Sequence, residues 1–115
     1  MSRDEVMYLR DIAESCVRIA EYTAGLDRAG LLSDQKTYDA VVRNLEIIGE
    51  AAKHISEELR AQLPDVQWRN VAGMRDMLTH AYFGIDNDIL WDVVQNKVPS
   101  LAGAVRTYLG QTEDR

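Results

Sequence analysis

The sequence predicts an all-α fold, an up-and-down bundle of four main helices with room for a fifth. Three observations lead there. Apolar residues recur at three- and four-residue steps, and no stretch alternates polar with apolar residues for long. Only two prolines and seven glycines interrupt 115 residues. Hydrophobic residues make up 46% and charged residues 28%, which suits one ordinary core and neither disorder nor a collagen-like repeat. The length predicts a single domain over residues 1–115.

The first helix is expected from Asp4 to Thr23, with Leu9, Ile12, Ala13, Cys16, Ile19, Ala20 and Thr23 on one stripe. Gly25 stops it, because glycine accepts the left-handed conformation needed past a helix end. Ser33, followed by Asp34, is the expected cap of a second helix, whose stripe is Tyr38, Val41, Val42, Leu45, Ile48, Ala52 and Ile55. Ser56 with Glu57 and Glu58 restarts a short helix that Pro64 must end. A third long helix opens between Asp65 and Trp68 and runs to about His80 or Tyr82, with Gly84 closing it. Trp68, Val71 and Met74 or Leu78 face inward. Asp86 or Asp88 caps a fourth helix carrying Leu90, Trp91, Val94 and Val98. Pro99 then kinks that helix or begins a fifth through Leu101, Val105 and Leu109. Adjacent pairs such as Ile47–Ile48 and Val93–Val94 widen the apolar faces, which implies burial against a second copy.

Charge and cysteine content narrow the function classes. Thirteen Lys and Arg against nineteen Asp and Glu leave a net charge of −6, so a general electrostatic grip on nucleic acid is excluded. Cys16 is the lone cysteine, which excludes an intrachain disulfide and a thiolate metal cage. No signal peptide and no membrane span of about 20 apolar residues is legible, so a cytoplasmic location without membrane attachment is expected.

The chemistry-bearing residues concentrate in Met74–Gly84. Asp76 and His80 are four apart and share a helix face, which lets the carboxylate accept a ring N–H and set the tautomer. Arg75 and Tyr82, seven apart, also share a face. Arg75 and His80 are five apart, about 140° around the axis, so an ideal helix does not aim both at one atom. Either the arginine reaches around, or the helix ends near His80, or two chains meet. A histidine titrating near neutrality can take the proton of a ribose 2′-hydroxyl, while an arginine fork stabilises the charge that builds on phosphorus. The plain alternative is that Arg75 pairs with a surface acid, His80 suits the helix dipole, and Tyr82 and Phe83 fill the core. Glu46, Glu50, Lys53 and His54 form a polar stripe that reads as a salt-bridged face rather than a metal site, since matching ligands elsewhere are lacking. Arg43 and Arg69 are candidates for guiding RNA. Trp68, Trp91, Met74 and Met77 read as packing residues.

At these residues the chain resembles the HEPN superfamily, and within it the HepT-like ribonuclease toxins encoded beside minimal nucleotidyltransferase antitoxins. The R-x4-H-x-Y signature stands here as Arg75, His80 and Tyr82, with Asp76 after the arginine. Further blocks match in order: Tyr8–Ile12, Asn44–His54, Pro64–Arg69, Tyr82–Asp86, Trp91–Asp92 and Val98–Pro99. The resemblance implies a homodimeric helical bundle in which two signature segments line a shared cleft. It also implies metal-independent endoribonuclease activity without a cofactor, leaving a 2′,3′-cyclic phosphate. Carried over by position, Arg75 and His80 are the catalytic pair, Asp76 supports them, and Tyr82 is the tyrosine that the antitoxin modifies with AMP. This describes the toxin of a type VII-like toxin–antitoxin system with RNA as substrate. Relatives commonly carry asparagine at the Asp76 position, so the acid here is a departure that places negative charge near the phosphate. A non-catalytic helical module that binds nucleotides or a partner protein through the same cleft is the alternative. Glu50 falls inside a matching block and is a candidate for the cleft lining.

Overall fold

The computed structural model describes residues 2–79 and 85–113, excluding the side chains of Arg75, residues 77–79 and residues 112–113. Helices account for all regular structure among the described residues. α1 (Arg3–Thr23) opens with a reciprocal cap: the Glu5 N–H donates to Ser2 Oγ at 3.2 Å, and the Ser2 N–H donates to Glu5 Oε2 at 3.3 Å. Its buried stripe follows the expected spacing except at Ala20, which faces solvent, while Ser15 is buried instead. Gly25 ends the turn beyond it with φ of 77°.

A short helix that the periodicity does not announce follows, α2 (Arg28–Ser33), capped by the Asp27 carboxylate. Ser33 therefore closes α2 and does not cap the next helix. Asp34 caps α3 (Gln35–Lys53), accepting from the Thr37 N–H at 3.2 Å and the Thr37 hydroxyl at 2.8 Å. A carboxylate has two acceptor oxygens and takes both donors, which one hydroxyl cannot match as well. Those bonds to Thr37 hold the Asp34 pKa below its ordinary value. α4 (Glu57–Ala61) starts at Ser56, as expected, and ends before Pro64. α5 (Trp68–Thr79) and α6 (Asn87–Asp92), the latter capped by Asp86, complete the set before the last helix.

Pro99 neither kinks an α-helix sharply nor starts a separate one. Residues Val93–Lys97 form a π turn that runs directly into α7 (Val98–Glu113), and the Val98 N–H donates to the Val93 carbonyl. Proline lacks the donor and its ring crowds the carbonyl four residues back, so a wider turn just ahead of it resets the hydrogen-bond register.

α3 occupies the middle of the packing, with α1 and α5 against it and α7 against α1. Val41, Leu45, Ile48 and Ala52 of α3 are fully buried, facing Leu9, Ile12 and Ile19 of α1 within one core. Burial of each large aliphatic side chain contributes about 1.5–3 kcal/mol. Trp68 is buried, whereas Trp91, also expected in the core, packs only at its margin. Tyr38 Oη–H donates to Asn87 Oδ1 at 2.9 Å, and Arg28 pairs with Asp88 at 2.9 Å, so both α2 and α3 hold the start of α6. Among the described residues no helix is long and apolar enough to cross a membrane.

A Cβ at Gly25 would meet nothing within 4 Å, so the cost of replacing it is conformational alone. Gly25→Ala is expected to lower unfolding free energy by about 1–2 kcal/mol in urea titration, with the helical circular-dichroism spectrum unchanged.

Candidate active site

Placement of the signature segment begins at the first residue of α5. The Trp68 indole N–H donates to the Leu63 carbonyl at 3.3 Å, and the Arg60 guanidinium lies 5.9 Å from the centre of the Trp68 ring. The same arginine donates to the Ala52 carbonyl at 2.8 Å, near the end of α3. Arg60 thus links the end of α3, α4 and the start of α5, and Trp68 and Met74 anchor α5 in the core. The helix carries Arg75 and Asp76 within its last two turns. His80 and Tyr82, like the Arg75 side chain and the expected stop at Gly84, lie outside the described residues.

Asp76 meets the end of α3. Lys53 Nζ stands 3.6 Å from Asp76 Oδ1, with 38% of the lysine side chain and 57% of the aspartate side chain exposed. Next to Lys53, the His54 ring stacks on Tyr8 of α1, with centroids 4.6 Å apart and planes 9° from parallel. His54 Nε2 also lies 3.6 Å from Glu50 Oε1. Two residues further on, the Ser56 N–H donates to Glu5 Oε1 at 3.1 Å, and bonding to Ser56 keeps the Glu5 pKa below its ordinary value. The C-terminal end of α3 is therefore held from α1 on one side and touches the signature segment on the other.

The polar stripe of α3 is the salt-bridged face that the spacing suggested. Besides the Glu50–His54 contact, Arg43 lies 3.9 Å from Glu46. Tyr8, Asp11, Arg43, Glu46 and Glu50 line a groove of about 290 Å³ between α1 and α3. Among the described residues no group of three or more His, Cys, Asp or Glu is arranged to hold a metal ion. Arg43 and Arg69, both considered for guiding RNA, are not brought together. Arg69 lines a second, more apolar groove of about 520 Å³ between α5, the π turn and α7, with Val66, Val71, Met74, Ile89, Val93 and Leu101. Ile89 at its edge is 46% exposed. The residue that sequence reasoning missed in this neighbourhood is Lys53 as a partner of Asp76. It was visible only as one member of the α3 stripe, because its partner lies on another helix.

A family model described as "Ribonuclease HepT-like" matches residues 12–108, a span that contains the whole of Arg75–Tyr82. The chain belongs to the HepT-like ribonuclease family. It is an RNase of the HEPN type. "Probable ribonuclease HepT" of Thermococcus cleftensis is 47% identical over 103 residues, covering 90% of this chain and 94% of that protein. A Methanocaldococcus jannaschii protein that carries an RNase name is 43% identical over 98 residues, covering 85% and 81%. Another so named, from Caldanaerobacter subterraneus subsp. tengcongensis, is 37% identical over 102 residues, covering 89% and 91%. No solved structure matches the chain.

Cys16 of α1 belongs to the hydrophobic core. It is 1% exposed, and burial pushes its thiol pKa up to about 12, so almost no thiolate exists at neutral pH. Iodoacetamide at pH 8 is expected to leave Cys16 unmodified in the native protein and to alkylate it quickly in urea. Mass spectrometry of the intact chain reads both states, and alkylation at equal rates in both would contradict the assigned burial.

Proposed function

We propose that the chain, as one HepT-like domain over residues 1–115, is the toxin of a type VII-like toxin–antitoxin system. It cleaves RNA without a metal, in the cytoplasm. The observation that carries this reading is the family match, whose residues 12–108 include Arg75, Asp76, His80 and Tyr82 in signature order. His80 acts as general base on the 2′-hydroxyl, whose oxygen attacks the adjacent phosphorus. Arg75 stabilises the charge of the resulting phosphorane. The 5′-oxygen then leaves with a proton from the imidazolium, so the products are a 2′,3′-cyclic phosphate and a 5′-hydroxyl. Asp76, four residues earlier in the sequence, orients His80.

The active form is a homodimer in this proposal. Support comes from the apolar groove beside α5 and the exposed Ile89 at its edge, because a second copy seated there would lie against the helix that carries Arg75. Control is by a minimal nucleotidyltransferase antitoxin. The Tyr82 hydroxyl attacks the α-phosphorus of ATP, pyrophosphate leaves, and the bound AMP blocks the cleft.

His80→Ala is expected to lower RNA cleavage by at least about a hundredfold, the usual contribution of a general base, while circular dichroism and thermal melting stay those of the parent. Undiminished cleavage would refute the assigned base. For Tyr82, incubation with the neighbouring nucleotidyltransferase and ATP should add one AMP to the parent and none to Tyr82→Phe, read by mass spectrometry. A parent chain without added AMP would refute control by this modification.

A further inference from the structure

The C-terminal end of α3 presents an aromatic surface that the proposed reaction does not use. The His54 ring stacks on Tyr8, with centroids 4.6 Å apart and planes 9° from parallel. Tyr8 covers one face of the imidazole, yet 50% of the His54 side chain stays exposed. A flat ring covered on one face keeps that much exposure only if its opposite face is open. The preceding residue, Lys53, has its Nζ 3.6 Å from Asp76 Oδ1, so this end of α3 stands against α5, the helix on which the family signature begins. We propose that His54, backed by Tyr8, is a stacking platform for one unpaired nucleobase of the RNA substrate, outside the reacting linkage. The proposal rests on RNA being the substrate and requires no particular role of any signature residue.

Single-stranded RNA offers flat, uncharged bases that stack on aromatic side chains, histidine among them. The ring here is set before any RNA arrives. The His54 backbone N–H donates to the Ala51 and Ala52 carbonyls, Nε2 lies 3.6 Å from Glu50 Oε1, and Tyr8 packs against the core. A ring already held in place loses little freedom when a base stacks on it. The stack is not needed to join the two helices, since the Ser56 N–H bonds Glu5 and Leu9 of α1 shares the core with Ile48 of α3. Charge decides which part of a nucleotide comes close. Glu50 stands at the edge of the imidazole, and Asp11 and Glu46 line the groove beside Tyr8. Carboxylates repel a phosphate but not the face of a base, so the base meets the ring while the sugar–phosphate chain stays outside the groove. Such a contact suits a net charge of −6, because stacking neutralises no phosphate and needs no basic surface.

The test uses the full chain and a single-stranded RNA of mixed sequence with every 2′-hydroxyl methylated, which lacks the attacking group and is bound without being cut. Affinity is read by fluorescence anisotropy at about 0.3 M salt, where charge contacts are screened. His54→Ala is expected to weaken binding about tenfold, the order of effect of one lost base–aromatic stack. His54→Phe should keep the affinity, and His54→Lys should lose it as the alanine variant does. His54→Trp should also bind, and its added indole emission should be quenched by the RNA, a response that a purely structural role would not produce. With unmethylated RNA, the loss in His54→Ala should appear in KM rather than in kcat. Unchanged affinity in His54→Ala would overturn the proposal. Affinity kept by lysine and lost by phenylalanine would mark a charge contact and overturn it as well, and so would a bound His54→Trp whose emission is not quenched. Should His54→Ala melt early, the phenylalanine, lysine and tryptophan comparisons decide. Failure of the underlying reading is a separate result: the parent chain would then bind no RNA, whatever stands at position 54.

Discussion

Packing of α3 between α1 and α5 is the constraint on which the rest depends. Val41, Leu45, Ile48 and Ala52 point into the core and leave the opposite stripe of the helix free to be polar. That division settles two things together. The buried side sets the position of α5, and the polar side ends at Lys53 and His54, against Asp76 and Tyr8. Were α3 rotated by one residue, about 100°, Lys53 would leave Asp76 and the aliphatic stripe would face water.

Smaller contacts refine this arrangement by removing freedom at chain junctions. Arg60 joins the carbonyl of Ala52 to the ring of Trp68, so the entry of α5 is set from the end of α3. Tyr38 and Arg28 hold the start of α6 through Asn87 and Asp88. On α7, Tyr108 Oη–H donates to Gln62 Oε1 at 2.7 Å, beside the end of α4. The signature segment thus begins and is followed by elements fixed to the body of the bundle. Catalytic groups need such a supporting shell to hold their geometry.

The charge balance also takes a different meaning at close range. A net charge of −6 opposes general polyanion binding, and the groove between α1 and α3 is itself rich in acids. The neighbourhood of Asp76 differs by the presence of Lys53.

Local rules in the sequence were sufficient for the helical class, most caps and most of the core. Helical spacing located Leu9, Ile12, Leu45, Ile48 and Val105 correctly, because a residue's face is decided by the 3.6-residue period. Gly25, Ser56 and Asp86 were legible as punctuation for the same reason: each acts on backbone groups within three residues of itself. The signature of Arg75, His80 and Tyr82 was legible as a pattern, and the family match covers it. Other features depended on competition or on contacts between distant residues. Asp34 displaced Ser33 as a cap because a carboxylate holds two donors, and Pro99 was absorbed by a π turn within one continuous helix. The Lys53–Asp76 contact and the Tyr8–His54 stack join residues on different helices. Periodicity says which face of a helix is buried, but only the packed bundle decides which polar ends meet.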